Sequence, residues 1–488
     1  MMINKRSKIA LFLIMFLLFI SIIILSSHAE ANKTQEIDFK EAIKLGLENN
    51  YELQTLRNNI VELERNLEIL DASESFQVNL SITPIWHFGK STENKETGEY
   101  VVKMNTTSLT PSTEASLIAT KQLADNISLS TELTWQSDNL FKKNLTDLTD
   151  EINANLRLNK RLYPDSWSEN KKQAYSIKNN LQIRLEELRW EEIEKQIEFI
   201  GDYLNILRLQ EQVHILREHL DLIEEELARV QRLIELGEGG YQQEVEAQIM
   251  LKELENSLLN QQQNLVRAKK QWFLSLNLPK NTIVIFEDNI DFIEDLYSQM
   301  ANLQFDNKNE DDLLMAALEE NYRTKNSQLE KEKLAKELEW TKDEGKAKVD
   351  ISGGYQFPAD WFVMLDFSIK LADGGVQKLK EQQKIDNIEQ KDVSIAHLNE
   401  QIKLEAEHLL DQDEYNKLNR DIQRMALEKE QDMIKIREIQ YNQGVISLNN
   451  LQNAILSFRE KEIKVKQAQD EWFINRLKLA HFIGYLQE

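Results

Sequence analysis

The sequence predicts a mainly α-helical protein built as a tandem repeat, in which long coiled-coil helical hairpins are interrupted by a few amphipathic β-strands. Three observations carry this. Only 5 Pro and 14 Gly punctuate 488 residues, and 29% of the chain is charged, which is the make-up of long helices. Apolar residues recur with a period of 3.5 in the longest segments and 2 in the interruptions. Short motifs of the first half return in the same order in the second. The balance of 59 basic against 83 acidic residues, a net charge of −24, excludes general nucleic-acid binding, because a phosphate backbone would repel that surface. With no cysteine there is no disulfide framework, Cys-based zinc site, thiol nucleophile or acylated cysteine anchor.

The elements follow in order. Lys5, Arg6 and Lys8 precede an apolar run from Ile9 to Leu25, and Ala29 and Ala31 offer small-residue cleavage sites. A signal peptide over 1–29 is therefore expected; a retained N-terminal anchor is the alternative. A first repeat over 30–275 starts with a helix from Asp38 to about Ser73 and continues with strands between about 76 and 160. Its long helix runs from about Trp167 to Glu235, turns near 237–244 and returns. In that helix Leu209, Val213, Leu216, Leu220, Ile223, Leu227, Val230 and Ile234 step by four and three, the seam of a supercoiling helix. At ~1.5 Å per residue it is roughly 100 Å long, a length suited to spanning distance. A linker or equatorial segment covers 276–309. A second repeat over 310–488 has strands at about 347–371 and a helical hairpin turning near 443–450.

The interruptions alternate cleanly. Val78, Leu80 and Ile82 alternate with Gln77, Asn79, Ser81 and Thr83; Ile152, Ala154, Leu156 and Leu158 with Asn153, Asn155, Arg157 and Asn159. In the second half, Val349 and Ile351 alternate with Lys348, Asp350 and Ser352. Val363, Leu365, Phe367 and Ile369 alternate with Met364, Asp366, Ser368 and Lys370. Each strand thus has one apolar and one polar face. The apolar face can meet a second sheet, as in a soluble sandwich, or lipid, with the polar face lining water. Further alternating stretches at Thr113–Leu123 and Asn126–Trp135 have no counterpart in the second half.

The duplication orders these elements. Leu47-Glu48-Asn49-Asn50-Tyr51 reappears as Leu318-Glu319-Glu320-Asn321-Tyr322, and Ala268-Lys269-Lys270-Gln271-Trp272-Phe273 as Ala468-Gln469-Asp470-Glu471-Trp472-Phe473. Gly237 and Gly444 each precede an alanine, Ala247 and Ala454, by ten residues. Each half reads helix, strands, long helix, Gly-marked turn, return helix.

On these motifs, together with the Lys370-Leu371-Ala372-Asp373-Gly374-Gly375 strand-to-helix junction, the sequence resembles the outer-membrane efflux family whose best-known member is TolC. The resemblance covers essentially the whole mature chain. It implies a homotrimer in the outer membrane with a periplasmic helical domain. Each subunit would give four strands, six if the extra hairpin joins the wall, to a shared membrane β-barrel, and its helices to an α-barrel. It implies a passive exit duct of a tripartite efflux or type I secretion system, with a periplasmic adaptor and an inner-membrane efflux pump or ABC transporter as partners. The docking tip would be Leu236, Gly237, Gly240, Gln443, Gly444 and Ser447, and Asn153, Asn155, Asp366 and Lys370 would face the lumen. Family members carry acidic residues at the aperture, where this sequence has Asn450 and Asn453, so a less cation-selective constriction is expected. The physics agrees: four strands cannot close a barrel alone, and an open edge in lipid leaves backbone groups unpaired.

Chemical sites are weak by comparison. Glu211/His214 and Glu405/His408 have the Glu-x-x-His spacing of di-iron bundles, but lie 23 and 36 residues before their turn glycines, at non-equivalent points. Gly237-Glu238-Gly239-Gly240 follows a helix rather than a strand, so it reads as a helix terminator and not a phosphate loop. Trp272 and Trp472 read as core or interface residues. No catalytic set emerges; neither an enzyme nor a cofactor is expected. The competing reading is an exported coiled-coil periplasmic adaptor or scaffold held by a retained N-terminal anchor.

Overall fold

The computed structural model describes residues 35–87, 90–93, 100–103, 110–137, 152–238, 240–278, 282–287, 291–303, 310–357 and 360–486. The expected signal segment lies outside them.

The first repeat contains α1 (Phe39–Asn49), α2 (Tyr51–Ser73), α3 (Glu169–Glu235) and α4 (Tyr241–Ser275). The second contains α6 (Glu310–Glu320), α7 (Tyr322–Glu344), α8 (Val376–Asn442) and α9 (Leu448–Phe482). The duplication extends to helix length: 11, 23, 67 and 35 residues in both halves. Between the halves, in the stretch read as a linker, stand β8 (Thr282–Val284) and α5 (Asp291–Asn302), and β8 pairs in parallel with β1 (Gln35–Ile37).

The helix expected from Asp38 to Ser73 is two helices, divided at Asn50. The Asn50 Oδ1 accepts from the backbone N–H groups of Glu52 and Leu53 at 3.0 and 3.1 Å, which caps α2, while its Nδ2 donates to the Ser275 carbonyl at 3.0 Å. A side chain that satisfies the orphan donors of a helix start favours a break there. The duplicated Asn-Tyr pair therefore marks a junction between helices. Asn321, its counterpart, is fully buried.

The chain forms two compact units, each drawn from both repeats. One comprises the described residues within 35–57, 187–322 and 399–486, the other those within 58–186 and 323–398. In the first, hydrogen bonds and ion pairs set the helix order α4-α3-α9-α8. Gln261 of α4 bonds Gln212 of α3; Arg208 of α3 pairs with Asp470 of α9 at 2.7 Å; Asn475 of α9 donates to the Leu409 carbonyl of α8 at 3.2 Å. Ile215, Leu456 and Ile463 form an apolar core between α3 and α9, and no residue of the predicted α3 seam is exposed. Trp272 is fully buried, donating through Nε1 to the Phe199 carbonyl at 3.0 Å among the rings of Tyr203 and Phe286.

The second unit holds the sheet. Its strands are β2 (Gln77–His87), β5 (Thr110–Ala124), β6 (Ile127–Ser137), β7 (Ile152–Tyr163), β9 (Lys348–Gln356) and β10 (Asp360–Ser368), antiparallel throughout, in the order β10-β9-β7-β6-β5-β2. The extra hairpin is thus β5–β6, in the middle of the same sheet. A short separate hairpin pairs β3 (Lys90–Glu93) with β4 (Tyr100–Lys103). No described helix is long and apolar enough to cross a membrane.

Candidate conduit wall and helical turns

The register turns six separate alternations into two continuous surfaces. One line of partners runs Val78, Ala119, Thr131, Leu156, Tyr355, Trp361 across all six strands. The adjacent line on the other face runs Asn79, Ile118, Glu132, Asn155, Gln356, Asp360. Leu80, Leu117 and Leu133 extend the first face; Ser116, Thr134 and Asn153 extend the second. No described residue covers the apolar face: Leu80, Leu133, Leu156 and Leu365 are all exposed, and Trp361 and Val363 are 80% exposed. A soluble sheet would bury such a surface.

Asn153, Asn155 and Asp366 all fall on the polar face, where Asp366 lies opposite Asp350, and Asp350 pairs with Arg161 at 3.0 Å. Phe362 also lies there, over Gly354, with the Arg157 guanidinium 5.6 Å from its ring; a side chain at Gly354 would meet that ring and the Leu156 carbonyl. Lys370 is a correction: β10 ends at Ser368. Its partner there, Lys348, is the first residue of β9, and the preceding chain turns away through the Lys346 N–H to Asp343 carbonyl bond, so no ladder extends to Lys370. Beyond it, Gly374 and Gly375 take φ of +65° and +84°, and the Asp373 carboxylate accepts from the N–H groups of Gln377 and Gly375 at the start of α8. Those two bonds hold its carboxyl below the usual range.

Both hairpin turns are five residues long, 236–240 and 443–447, and close in the same way. Gly237 and Gly444 take φ of +75° and +71°. Gly237 N–H donates to Ile234 and Glu238 N–H to Leu233; Gly444 N–H donates to Tyr441 and Val445 N–H to Gln440. This is a Schellman closure at each turn. Open space surrounds both glycines. Their return helices start differently: Ser447 caps α9 through its hydroxyl to Asn450 N–H, whereas Gly240 receives the Gln243 side chain on its N–H. Leu236 and Val445 project into solvent, as do Gln443, Asn450 and Asn453. The turns differ in charge. Glu235, Glu238, Glu244 and Glu246 surround the first, while 443–454 contains no charged residue.

Of the other candidates, Glu211 is engaged by Arg208 and Lys466, and the exposed His214 pairs with Glu218 at 3.3 Å. Among the described residues no group of three or more His, Asp or Glu side chains is arranged to hold a metal. The sequence reading missed the buried charges of the helical layer: Arg208, Asp413 and Arg476 are nearly inaccessible, and Arg420 and Arg476 flank the ring of Trp472 at 4.5 and 5.0 Å. Arg208 pairs with Asp470 and Arg476 with Asp413, partners far along the chain, so nothing local in the sequence separates them from solvated charges. Burial opposes the charge of Lys195, but pairs with Glu52 at 2.7 Å and Glu198 at 2.9 Å hold its ammonium above the usual range. His481, buried 3.9 Å from the Trp190 ring, is pushed down to about 4 by burial.

No family model matches the sequence, and no curated protein matches it. Solved structures do match. The chain is similar to the outer membrane protein VceC of Vibrio cholerae at 12% identity and a TM-score of 0.60, over 91% of this chain and 95% of that one. It is similar to the CmeC outer membrane channel of Campylobacter jejuni at 11% identity and 0.61, over 91% and 85%. It is similar to the open state of the MtrE outer membrane channel of Neisseria gonorrhoeae at 12% identity and 0.56, over 91% and 88%. At these identities the likeness is one of fold, and over nine-tenths of its length the chain has the fold of these outer membrane channels.

Proposed function

We propose that this protein is the outer-membrane exit duct of a tripartite efflux or type I secretion system. Homotrimeric association would close the sheets into a β-barrel in the outer membrane and the helices into a periplasmic conduit. Substrates would pass passively from a periplasmic adaptor and an inner-membrane pump or ABC transporter to the exterior. The observation that carries the reading is the uncovered apolar face, continuous over six strands and backed by a polar face. Lipid on one side and water on the other satisfies both. The helical layer supports it, because both outer helices leave apolar side chains unpartnered: Leu259, Val266 and Leu274 on α4; Leu418, Ile422 and Met425 on α8. In this reading Leu236, Gly237, Gly240, Gln443, Gly444 and Ser447 form the adaptor-docking tip. Asn450 and Asn453 line the aperture, and Asn153, Asn155 and Asp366 face the lumen. The duct needs neither a cofactor nor catalysis.

The test is fractionation followed by reconstitution. The protein should co-purify with the outer membrane as a heat-modifiable trimer and open water-filled channels in a planar bilayer. A protein found in the soluble periplasm or the inner membrane that opens no channels would instead be the scaffold or adaptor.

A further inference from the structure

We infer that the β5–β6 hairpin is part of the lipid-facing wall, so that each copy contributes six strands and β2 of one copy pairs with β10 of the next. This rests on the duct reading and adds the width of its barrel.

Strand direction is the first support. In an antiparallel sheet of six strands the two edges, β2 and β10, run in opposite directions, so a second copy can join edge to edge and continue the antiparallel ladder. Faces are the second. Leu117, Ala119, Leu129 and Leu133 of the hairpin lie on the same face as Leu80 and Leu156, and Ser116, Ser130 and Glu132 on the same face as Asn155. A hairpin standing clear of the membrane has no need of that match.

The stagger is the third. Gln77 and Ser368 are the strand ends that lead toward helices α2 and α8. The line of partners leaving Gln77 passes Thr120, Ser130, Arg157 and Gly354 and reaches β10 at Phe362, six residues short of Ser368. Six residues at ~3.3 Å, accumulated over the five spacings of ~4.8 Å between six strands, is a slope of about 40°, within the tilt that closed barrels require. The six-stranded sheet therefore already carries the shear of a barrel wall.

Three such copies give 18 strands and a backbone diameter of about 36 Å; with the hairpin excluded, 12 strands at the same tilt give about 24 Å. Equivalent positions on three copies would then stand about 31 Å apart, against about 21 Å for the narrower barrel.

The chain contains no cysteine, so single cysteines can be spin-labelled uniquely. With the full-length protein in liposomes, Asn155→Cys should give one inter-copy backbone distance of about 31 Å by pulsed electron resonance. A distance of about 21 Å overturns the proposal and leaves the duct standing; no inter-copy distance overturns both. Labels at Ser116→Cys and Leu117→Cys give an independent readout within the hairpin. The first should be quenched by a water-soluble nickel chelate and the second by oxygen dissolved in lipid. Chelate access at both positions places the hairpin outside the wall and overturns the proposal.

Discussion

Asn50 shows how a single residue can be read as a motif before its role is visible. Its recurrence as Asn321 is plain in the sequence, and the resemblance marks both Asn-Tyr pairs as helix starts; periodicity alone reads through the break, because both sides have good helix formers. The turn glycines were more legible, since a glycine ending a long apolar period has one common use. At Gly444 a Cβ would meet nothing, so Gly444→Val acts through the backbone alone, at roughly 1–2 kcal/mol for a left-handed residue. The expected outcome is lost export with trimer and barrel intact, read by efflux assay and by mobility of the unboiled protein. Unchanged efflux would remove the turn from the docking surface. His481 makes a different prediction. Its folded pKa of about 4 lies below the ordinary 6.5, so between those values the unfolded chain binds more protons, and stability falls as pH drops through that window. Between pH 7 and pH 5 the loss is about 2 kcal/mol. Chemical denaturation at the two pH values should show it, and His481→Phe should remove most of the difference.

At the scale of elements, periodicity was sufficient where one face of an element meets one kind of neighbour. The α3 seam and the strand alternations satisfy that condition, and both appear in the structure as read. It assigns no element in the stretch read as a linker or equatorial segment, where β8 is three residues long and pairs with a strand more than two hundred residues away. Pairing at such separation leaves no local trace. Lys370 failed for a related reason: alternation continued past Ser368, but β9 offered no partner beyond Lys348. The strand faces yield a paired prediction. Arginine at Leu156 or Phe367 would sit on the apolar face and cost about 2–4 kcal/mol near a bilayer midplane, preventing stable insertion. Arginine at Asn155 or Asp366, one residue away on the polar face, should leave the folded trimer intact and shift conductance or ion preference. A soluble sandwich would share the first result but not the second. If Asn155→Arg inserts normally and alters no ion flow, the polar face is not the lumen.

For the whole molecule, charge distribution is the property that a duct can express. The acidic excess is spread over the helices, yet the second turn and the start of α9, from Gln443 to Ala454, are neutral. Asn450 and Asn453 are exposed there, three residues apart and thus on one side of the helix, and the Asn453 amide donates to Asn449 at 3.2 Å. If three copies converge at this end, six amides would ring the narrowest passage. Amides orient a dipole toward a passing ion but impose no sign. Replacing both with aspartate would then add six carboxylates around that passage. Even in a water-filled mouth, about 1 kcal/mol of added attraction for a cation corresponds to a roughly fivefold change in relative permeability. The acidic first turn would be unchanged in both proteins, so the comparison isolates the second. The reversal potential of Asn450→Asp/Asn453→Asp channels under a potassium chloride gradient should therefore move toward the cation limit, and more so at low ionic strength, where screening is weakest. A reversal potential equal to that of the parent at every salt concentration would mean that ions pass far from these residues, and that the aperture lies elsewhere along the conduit.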